Sequence, residues 1–291
     1  MLHLVTAMAY GDCLITLSLL EQVKSDADVW QILGTGVTAR VSSLLRQPLP
    51  VIEMLPDKAA FYTFREDGPW KAWLDFISIK KSLSRFSKPG DVFAFERPDI
   101  RNTAVKPFNC QGIYAPQTHH AYDDRRALIQ QLFGPMPEWA PVRRPTSPVR
   151  SVLINPCARY GDRWLAPEII DNLIAIAAAR NWSLTLLDPC RRYGDFRDRV
   201  ERYESQTSLT DAAAMLRASD LYVGPDSFFI HLAYYYGIPL FGFFFSHYHD
   251  FLAPGMEQLG NFMDFNAACD RSTLEKGLMA FVAPEGDRYA G

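Results

Sequence analysis

Three stretches of this chain place ionisable side chains directly after apolar runs, where a strand hands over to a helix. In AMAYGDCLITL, Gly11 allows a sharp turn and Asp12 falls at or beside a helix N-terminus. An aspartate there can cap the helix by accepting from its open amides, a bond worth about 1 kcal/mol. It can also stand at the end of a strand and take a proton from an attacking hydroxyl. Both roles are compatible only if one carboxylate oxygen is left over.

In VLINPCARYGDRWLAPE, the strand ends at Asn155 and Pro156, and a loop carries Arg159, Asp162 and Arg163 before a helix begins near Pro167. Loop arginines are commonly just solvated. Two of them at the carboxyl end of a strand also suit a diphosphate, because guanidinium is a planar fork of donors that keeps its charge. In GPDSFFIHLAYYYGIPLFGFF, Gly224 to Phe244, either Asp226 or Ser227 can cap the next helix, whose open amides form a ready phosphate site. His231 follows Ser227 by four residues, on the same helix face one turn in. It either points at an anion or is a hydrogen-bonded core histidine. The rest of that stretch is structural: an apolar helix, a glycine break and a buried strand.

The elements that must position these residues alternate along the chain. LHLVTAMA, DVWQILG and PVIEML read as strands, with CLITLSLLEQVKS and VTARVSSLLR as helices between them. Further on, PWKAWLDFISIKKSLSRF reads as a helix, DVFAFE as a strand and YDDRRALIQQLFG as a helix. Between Gly134 and Arg150, PMPEWAPVRRPTSPVR carries five prolines and little periodicity, which is a linker signal. The alternation then restarts: SVLINP, SLTLLDP, DLYVGP and PLFGFFF as strands, with APEIIDNLIAIAAARN, FRDRVERYE, SLTDAAAMLRAS and FFIHLAYYYG as helices. Strands alternating with helices imply parallel sheets. The expected fold is α/β, two Rossmann-like doubly wound domains over residues 1–140 and 141–291 that face a cleft. Ligands of such sheets bind at the carboxyl ends of the strands.

Composition narrows the classes. A chain of 291 residues, 48% hydrophobic and 22% charged, can bury one large core or two smaller ones, which excludes disorder. Its net charge of -3, with Lys and Arg scattered rather than massed, gives no nucleic-acid footprint and leaves room for local phosphate pockets. Cys13, Cys110, Cys157, Cys190 and Cys269 lie far apart, odd in number and without metal spacing, so free thiols in a reduced, cytosolic protein are expected. The apolar start MLHLVTAMAYGDCLITLSLL has no basic leader and is interrupted by Asp12, which reads as a strand and helix rather than a signal peptide or span. Gly237 and Pro239 break the other oily run, IHLAYYYGIPLFGFFF. The Asp26 to Asp28 stretch DAD stands at a helix-to-strand junction rather than in a convincing metal-binding turn, and neither a metal nor a cofactor is expected. GTGVTAR, beginning at Gly34, lacks the third glycine of a dinucleotide fingerprint, which argues against a dehydrogenase.

The arrangement resembles glycosyltransferase family nine, the ADP-heptose:lipopolysaccharide heptosyltransferases of GT-B fold. Tyr10-Gly11-Asp12-Cys13 with LITLSLLEQVK resembles the family's opening turn and helix, and Arg163-Trp164 falls near its K-x-W-like element. SLTDAAAMLRASDLYVGPDSFFIHLAYYYGIP follows the family's last segment nearly throughout, while the match is weak from about Lys58 to Tyr114. The resemblance implies Asp12 as general base and Arg163 as a phosphate or leaving-group contact in place of a lysine, beside Arg159, which the loop reading alone adds as a diphosphate contact. It implies Asp226, Ser227 and His231 as the edge of the nucleotide-sugar site. Phe228 departs from the pattern, standing where the family has glycine, and makes the phosphate geometry of that step its own.

From this follows an expected function: metal-independent, inverting transfer of a sugar such as heptose from a nucleoside-diphosphate donor to a glycan or lipopolysaccharide-type acceptor. The expected setting is the cytoplasm, at the inner face of the membrane. Acceptor candidates are Lys80, Lys81, Arg85, His119 and His120. The basic stretch IKKSLSRFSK suits anionic lipid or sugar phosphates, although a charge run is more often a solvated face. Two other readings are a catalytically silent sugar-nucleotide-binding or assembly protein, motivated by Phe228, and a sugar-nucleotide epimerase, whose paired acids the sequence does not display.

Overall fold

Parallel strands alternate with helices throughout the computed structural model, which describes residues 1–6, 9–23, 29–55, 68–97, 100–118, 120–159, 161–245 and 249–283. The chain divides into two units, Met1–Glu138 and Trp139–Gly291. The DAD stretch and His119 lie outside the described residues.

In the first unit the order is β1 (Leu2–Thr6), α1 (Tyr10–Leu20), β2 (Trp30–Gly34), α2 (Gly36–Ser42), β3 (Val51–Glu53), α3 (Pro69–Phe86), β4 (Val92–Phe95), α4 (Ile100–Val105), β5 (Gln111–Tyr114) and α5 (Ala121–Phe133). The sheet runs β3-β2-β1-β4-β5, with every pair parallel. β1 lies in the middle, where a parallel strand is covered on both faces, and LVT is buried without alternation. α1 is buried over every residue from Asp12 to Leu20, so it is an interior helix rather than an amphipathic one. α2 is started by Thr35, whose side chain accepts from the Val37 and Thr38 amides in a capping box. Beneath the amino end of the sheet, His3 meets Asp91 at 3.0 Å. Burial acts to raise the Asp91 pKa, but the bonds from His3 and the Lys88 amide outweigh it and hold the carboxyl at about 2.

The second unit contains β6 (Ser151–Ile154), α6 (Pro167–Ala179), β7 (Ser183–Leu187), β8 (Arg202–Glu204), α7 (Leu209–Arg217), β9 (Leu221–Pro225), α8 (Phe228–Tyr236), β10 (Leu240–Phe244), α9 (Met256–Leu259), β11 (Phe262–Asp264), α10 (Phe265–Ala268) and α11 (Arg271–Val282). Its six parallel strands run β11-β10-β9-β6-β7-β8. Counted within the unit, that is the dinucleotide-binding order 3-2-1-4-5-6. Ile154, Ile169, Leu186, Val223, Phe241 and Phe281 are among the side chains of its core. α8 ends where Gly237 takes φ 73°, a left-handed conformation open to glycine and strained for other residues.

Two expectations are corrected. FRDRVERYE is not one helix: a 3₁₀ turn over Gly194–Arg199 leads into the edge strand β8, which pairs in register with β7, Thr185 opposite Arg202. Edge pairing overrides the helical propensity of this charged segment. Nor are all five cysteines free: Cys157 and Cys190 form a disulfide, with their Cα atoms 6.5 Å apart. The reason is topological. β6 and β7 are neighbours with Ile154 beside Leu186, so the loops leaving both strands begin side by side although 33 residues separate the cysteines. This bond is at odds with the reduced state from which a cytosolic location was argued. Cys13, Cys110 and Cys269 remain thiols.

Candidate active site

Each sheet has one place where consecutive strands depart in opposite directions, between β1 and β4 in the first and between β6 and β9 in the second. The crevice outside the carboxyl ends at such a switch point is where open α/β sheets take ligands. In both units an arginine–aspartate pair stands there.

In the first unit Asp12 is the third residue of α1, and the N-cap position belongs to Ala9. Asp12 is therefore not the N-cap residue. Asp12 Oδ1 accepts from Arg125 Nη2 at 2.9 Å and from Arg97 Nη2 at 3.4 Å. Arg125, on α5, is 2% exposed and ranks among the largest fully buried side chains, so its charge requires this partner. Arg97, just past β4, is partly open to solvent, its side chain 42% exposed.

Glu96 completes the cluster. It directly follows β4, is 2% exposed, and accepts a hydrogen bond from Thr16 on α1 through Oε1. Its Oε2 is buried without a hydrogen-bond partner. Burial pushes the Glu96 pKa up to about 7, assisted by the charge of Asp12 and opposed by Arg125, the Thr16 bond and Arg97. Near neutral pH this carboxyl therefore exchanges a proton beside Asp12 and its arginines.

In the second unit the strand β9 delivers Asp226, buried, to Arg163 Nη1 at 2.8 Å. Arg163 closes the 3₁₀ turn Gly161–Arg163 after β6, so this bond spans the switch point. The approach depends on Gly224. A Cβ there would collide with the Tyr222 hydroxyl and come within 2.8 Å of the Asn155 carbonyl oxygen. Ser227 occupies the N-cap position of α8 with extended backbone, and its side chain makes no capping bond. The Ser227 side chain therefore does not close this helix end. Phe228 is the first residue of α8, half-buried, with its ring edge-on to Phe229 at 5.6 Å. Among described residues with side chains only Asn181 and Arg191 have positive φ, so position 228 requires no glycine conformation here. What the replacement changes is the side chain beside the helix mouth. His231 is buried one turn into α8, and Arg159 is exposed on its loop.

That loop is held from the next strand. The disulfide ties Cys157 to Cys190, the Arg192 guanidinium lies 4.4 Å over the Trp164 ring, and the Tyr193 hydroxyl donates to the Leu165 carbonyl at 2.6 Å. Asp188, fully buried, anchors the far side by accepting from the Tyr193 amide at 2.8 Å and the Tyr203 hydroxyl at 2.6 Å. Cys157, Asp188 and Cys190 cluster as metal ligands do, but here the sulfurs are bonded to each other and both Asp188 oxygens hold protein donors.

The acceptor candidates fall elsewhere in the first unit. Lys80 and Lys81 lie on α3, with Lys80 Nζ 4.2 Å over the Phe108 ring, and His120 contacts Asp123 at 3.2 Å at the start of α5. Among the described residues no ion pair joins Lys80 or Lys81 to Asp12. Sequence reasoning missed Arg125 and Glu96. Arg125 was legible as a charge on the stripe of Tyr122 and Ile129, and Glu96 as an acid at the carboxyl end of a strand.

No family model and no curated protein sequence matches the chain. Among solved structures, an E. coli heptosyltransferase, WaaC, with ADP-2-deoxy-2-fluoro heptose superimposes with a TM-score of 0.64 over 96% of this chain and 98% of its own, at 16% identity. The fold is that of the heptosyltransferases. A glycosyl transferase family 9 structure from Veillonella parvula shares that heptosyltransferase-like GT-B fold, with a TM-score of 0.59, 12% identity, and coverage of 99% of this chain and 91% of that one. So does a putative UDP-N-acetylglucosamine 2-epimerase from Listeria monocytogenes, with a TM-score of 0.53, 9% identity and coverage of 96% and 87%. Since the heptosyltransferase fold is shared by a second reaction class, its chemistry here has to be argued from side chains.

Proposed function

We propose that this protein is a glycosyltransferase that moves a sugar from a nucleoside-diphosphate donor to a hydroxyl of a glycan or lipid-linked glycan, with inversion and without a metal. The observation that carries the reading is Asp12, held at the switch point of the first sheet by Arg125 and Arg97. A carboxylate so oriented suits a general base for an acceptor hydroxyl. In the proposed reaction the oxygen attacks the anomeric carbon, the bond to the diphosphate breaks, and the hydroxyl proton passes to Asp12.

The second unit supplies the donor side. Arg163 and the N-terminal turn of α8 offer a guanidinium and helix amides to a departing diphosphate, with Arg159, Asp226, Ser227 and His231 around that mouth. Such neutralisation needs no divalent ion. The epimerase reading has less support, because the acids of the Asp12 site are Asp12 itself, held by two arginines, and Glu96, buried behind Thr16. Work on the cytoplasmic side belongs to the same proposal, and there the Cys157–Cys190 bond has to persist against a reducing thiol pool.

Calorimetry with ADP, UDP, GDP and CDP, with EDTA and with Mg²⁺, tests the donor site. Binding of one nucleotide in EDTA, weakened about thirtyfold in Arg163→Ala by loss of a charged hydrogen bond of about 2 kcal/mol, is the expected result. Absence of binding to all four would point to a chain whose donor site Phe228 has closed.

A further inference from the structure

α3 carries two apolar faces. Ile79 and Leu83 form the inward one and are buried. On the other, Trp70, Trp73, Leu74 and Ile77 recur at i, i+3, i+4 and i+7, which makes them a single stripe. At 3.6 residues per turn this stripe falls on the side of the helix opposite Ile79 and Leu83. All four are exposed, from 41% at Ile77 to 74% at Trp70. The two indoles stack on each other, 5.7 Å between centroids. Large apolar side chains arranged contiguously in water mark an interaction surface rather than ordinary scatter.

The surroundings of the stripe are basic. Lys71, Lys80, Lys81 and Arg85 stand against Asp75 alone over the helix, in a chain whose net charge is -3. Lys81 continues the stripe one turn beyond Ile77, and Arg85 follows one turn later. Lys80 lies over Phe108, which is 86% exposed and extends the apolar surface past the helix edge. A second copy of the chain would set these cations against themselves across a two-fold axis, which disfavours self-pairing. Exposed tryptophans flanked by lysines are instead the composition of an interfacial helix, in which indoles sit at headgroup depth and ammonium groups reach the phosphates.

We propose that α3 docks the first unit onto an anionic lipid bilayer. Trp70, Trp73, Leu74, Ile77 and Phe108 enter the interface, and Lys80, Lys81 and Arg85 meet the headgroup phosphates. No helix among the described residues is long and apolar enough to cross a membrane, and α3 itself lies along the surface. Lys80, Lys81 and Arg85, acceptor candidates of the sequence, are assigned here to headgroup phosphates, and the test contains neither a sugar donor nor an acceptor, so the docking surface stands or falls apart from the transferase reading.

The test is co-sedimentation of the full chain with vesicles of phosphatidylglycerol and phosphatidylcholine, against vesicles of phosphatidylcholine alone. Brominated acyl chains report indole depth in parallel. The expected result is pelleting with the anionic vesicles, quenching of tryptophan emission by the brominated lipid, and a loss of binding of about tenfold or more in W70S/W73S. K80E/K81E should remove the preference for phosphatidylglycerol. Circular dichroism establishes that these surface variants remain folded. Failure of the unaltered chain to pellet, or absence of quenching, would overturn the proposal without recourse to any variant. A vesicle-independent dimer that W70S/W73S dissociates would reassign the face to a second copy.

Discussion

Asp12 and Arg125 are 113 residues apart in the chain and 2.9 Å apart in the fold. The contact joins the first helix to the last helix of the first unit at the carboxyl end of its central strand. Both side chains are buried, so each is the other's main compensation for leaving water.

Removing Arg125 alone takes the 2.9 Å contact from that buried carboxylate and leaves the longer one to Arg97 at 3.4 Å. Arg125→Met should cost about 3–5 kcal/mol in denaturant unfolding, the range for breaking a buried pair. Asp12→Asn, which keeps a hydrogen-bonding oxygen, should cost less. Equal small losses in both variants would show that water reaches the pair.

Glu96 gives a pH signature. Its folded pKa of about 7 lies above the ordinary value of 4.5, so between those values the native state holds a proton that the unfolded chain has released. The contribution of Glu96 to stability is therefore greatest below about pH 4.5 and diminishes as pH rises toward 7. Glu96→Gln should flatten this fall in urea titrations across that window. Asp91, held at about 2, acts in the opposite sense: its contribution is present above about pH 4 and lost as pH falls toward 2. An unchanged slope in Glu96→Gln would place the titrating group elsewhere.

The Gly224 corner predicts a coupling. Gly224→Ala should destabilise by about 1–3 kcal/mol, because the new methyl meets the Tyr222 hydroxyl and a backbone oxygen. Tyr222→Phe removes a buried hydroxyl whose polar neighbour is the Ser227 side chain and should cost no more than about 1 kcal/mol alone. Combined with Gly224→Ala it should recover part of the loss and not all, since the Asn155 oxygen remains. Strict additivity in the double-mutant cycle would rule out the contact.

Thiol counting tests the link between the loops after β6 and β7. The denatured, unreduced chain should expose three reactive thiols, Cys13, Cys110 and Cys269, and five after reduction. Replacing Cys157 and Cys190 by serine should cost about 4 kcal/mol, from the unfolded-state entropy of a 33-residue loop. Five thiols without reductant would mean that the Arg163 loop is held by Trp164, Tyr193 and Asp188 alone.

The two Rossmann-like units were legible because period, proline linker and turn residues agree over most of the chain, and α3 matches its sequence pattern from Pro69 to Phe86. β5, β8 and β11 were not, being strands of three or four residues at or next to sheet edges whose identity comes from a neighbour rather than from their own residues. For the site, Asp12, Arg163 and Asp226 stood out because each follows a strand. Their partners did not. Arg125 and Glu96 act through tertiary proximity, and no local spacing connects Arg163 to Asp226, 63 residues later. The disulfide was hidden for the same reason, since only the pairing of β6 with β7 brings its cysteines together.

The central claim is tested most directly by turnover. Purified protein is incubated in EDTA with the nucleotide sugar whose base calorimetry selects and a lipid-linked glycan acceptor, and the nucleoside diphosphate released is measured for the unaltered chain and for Asp12→Asn. Acceptor-dependent release should fall by about 10²-fold or more in Asp12→Asn while donor affinity is preserved. Near-normal release by Asp12→Asn would contradict that claim.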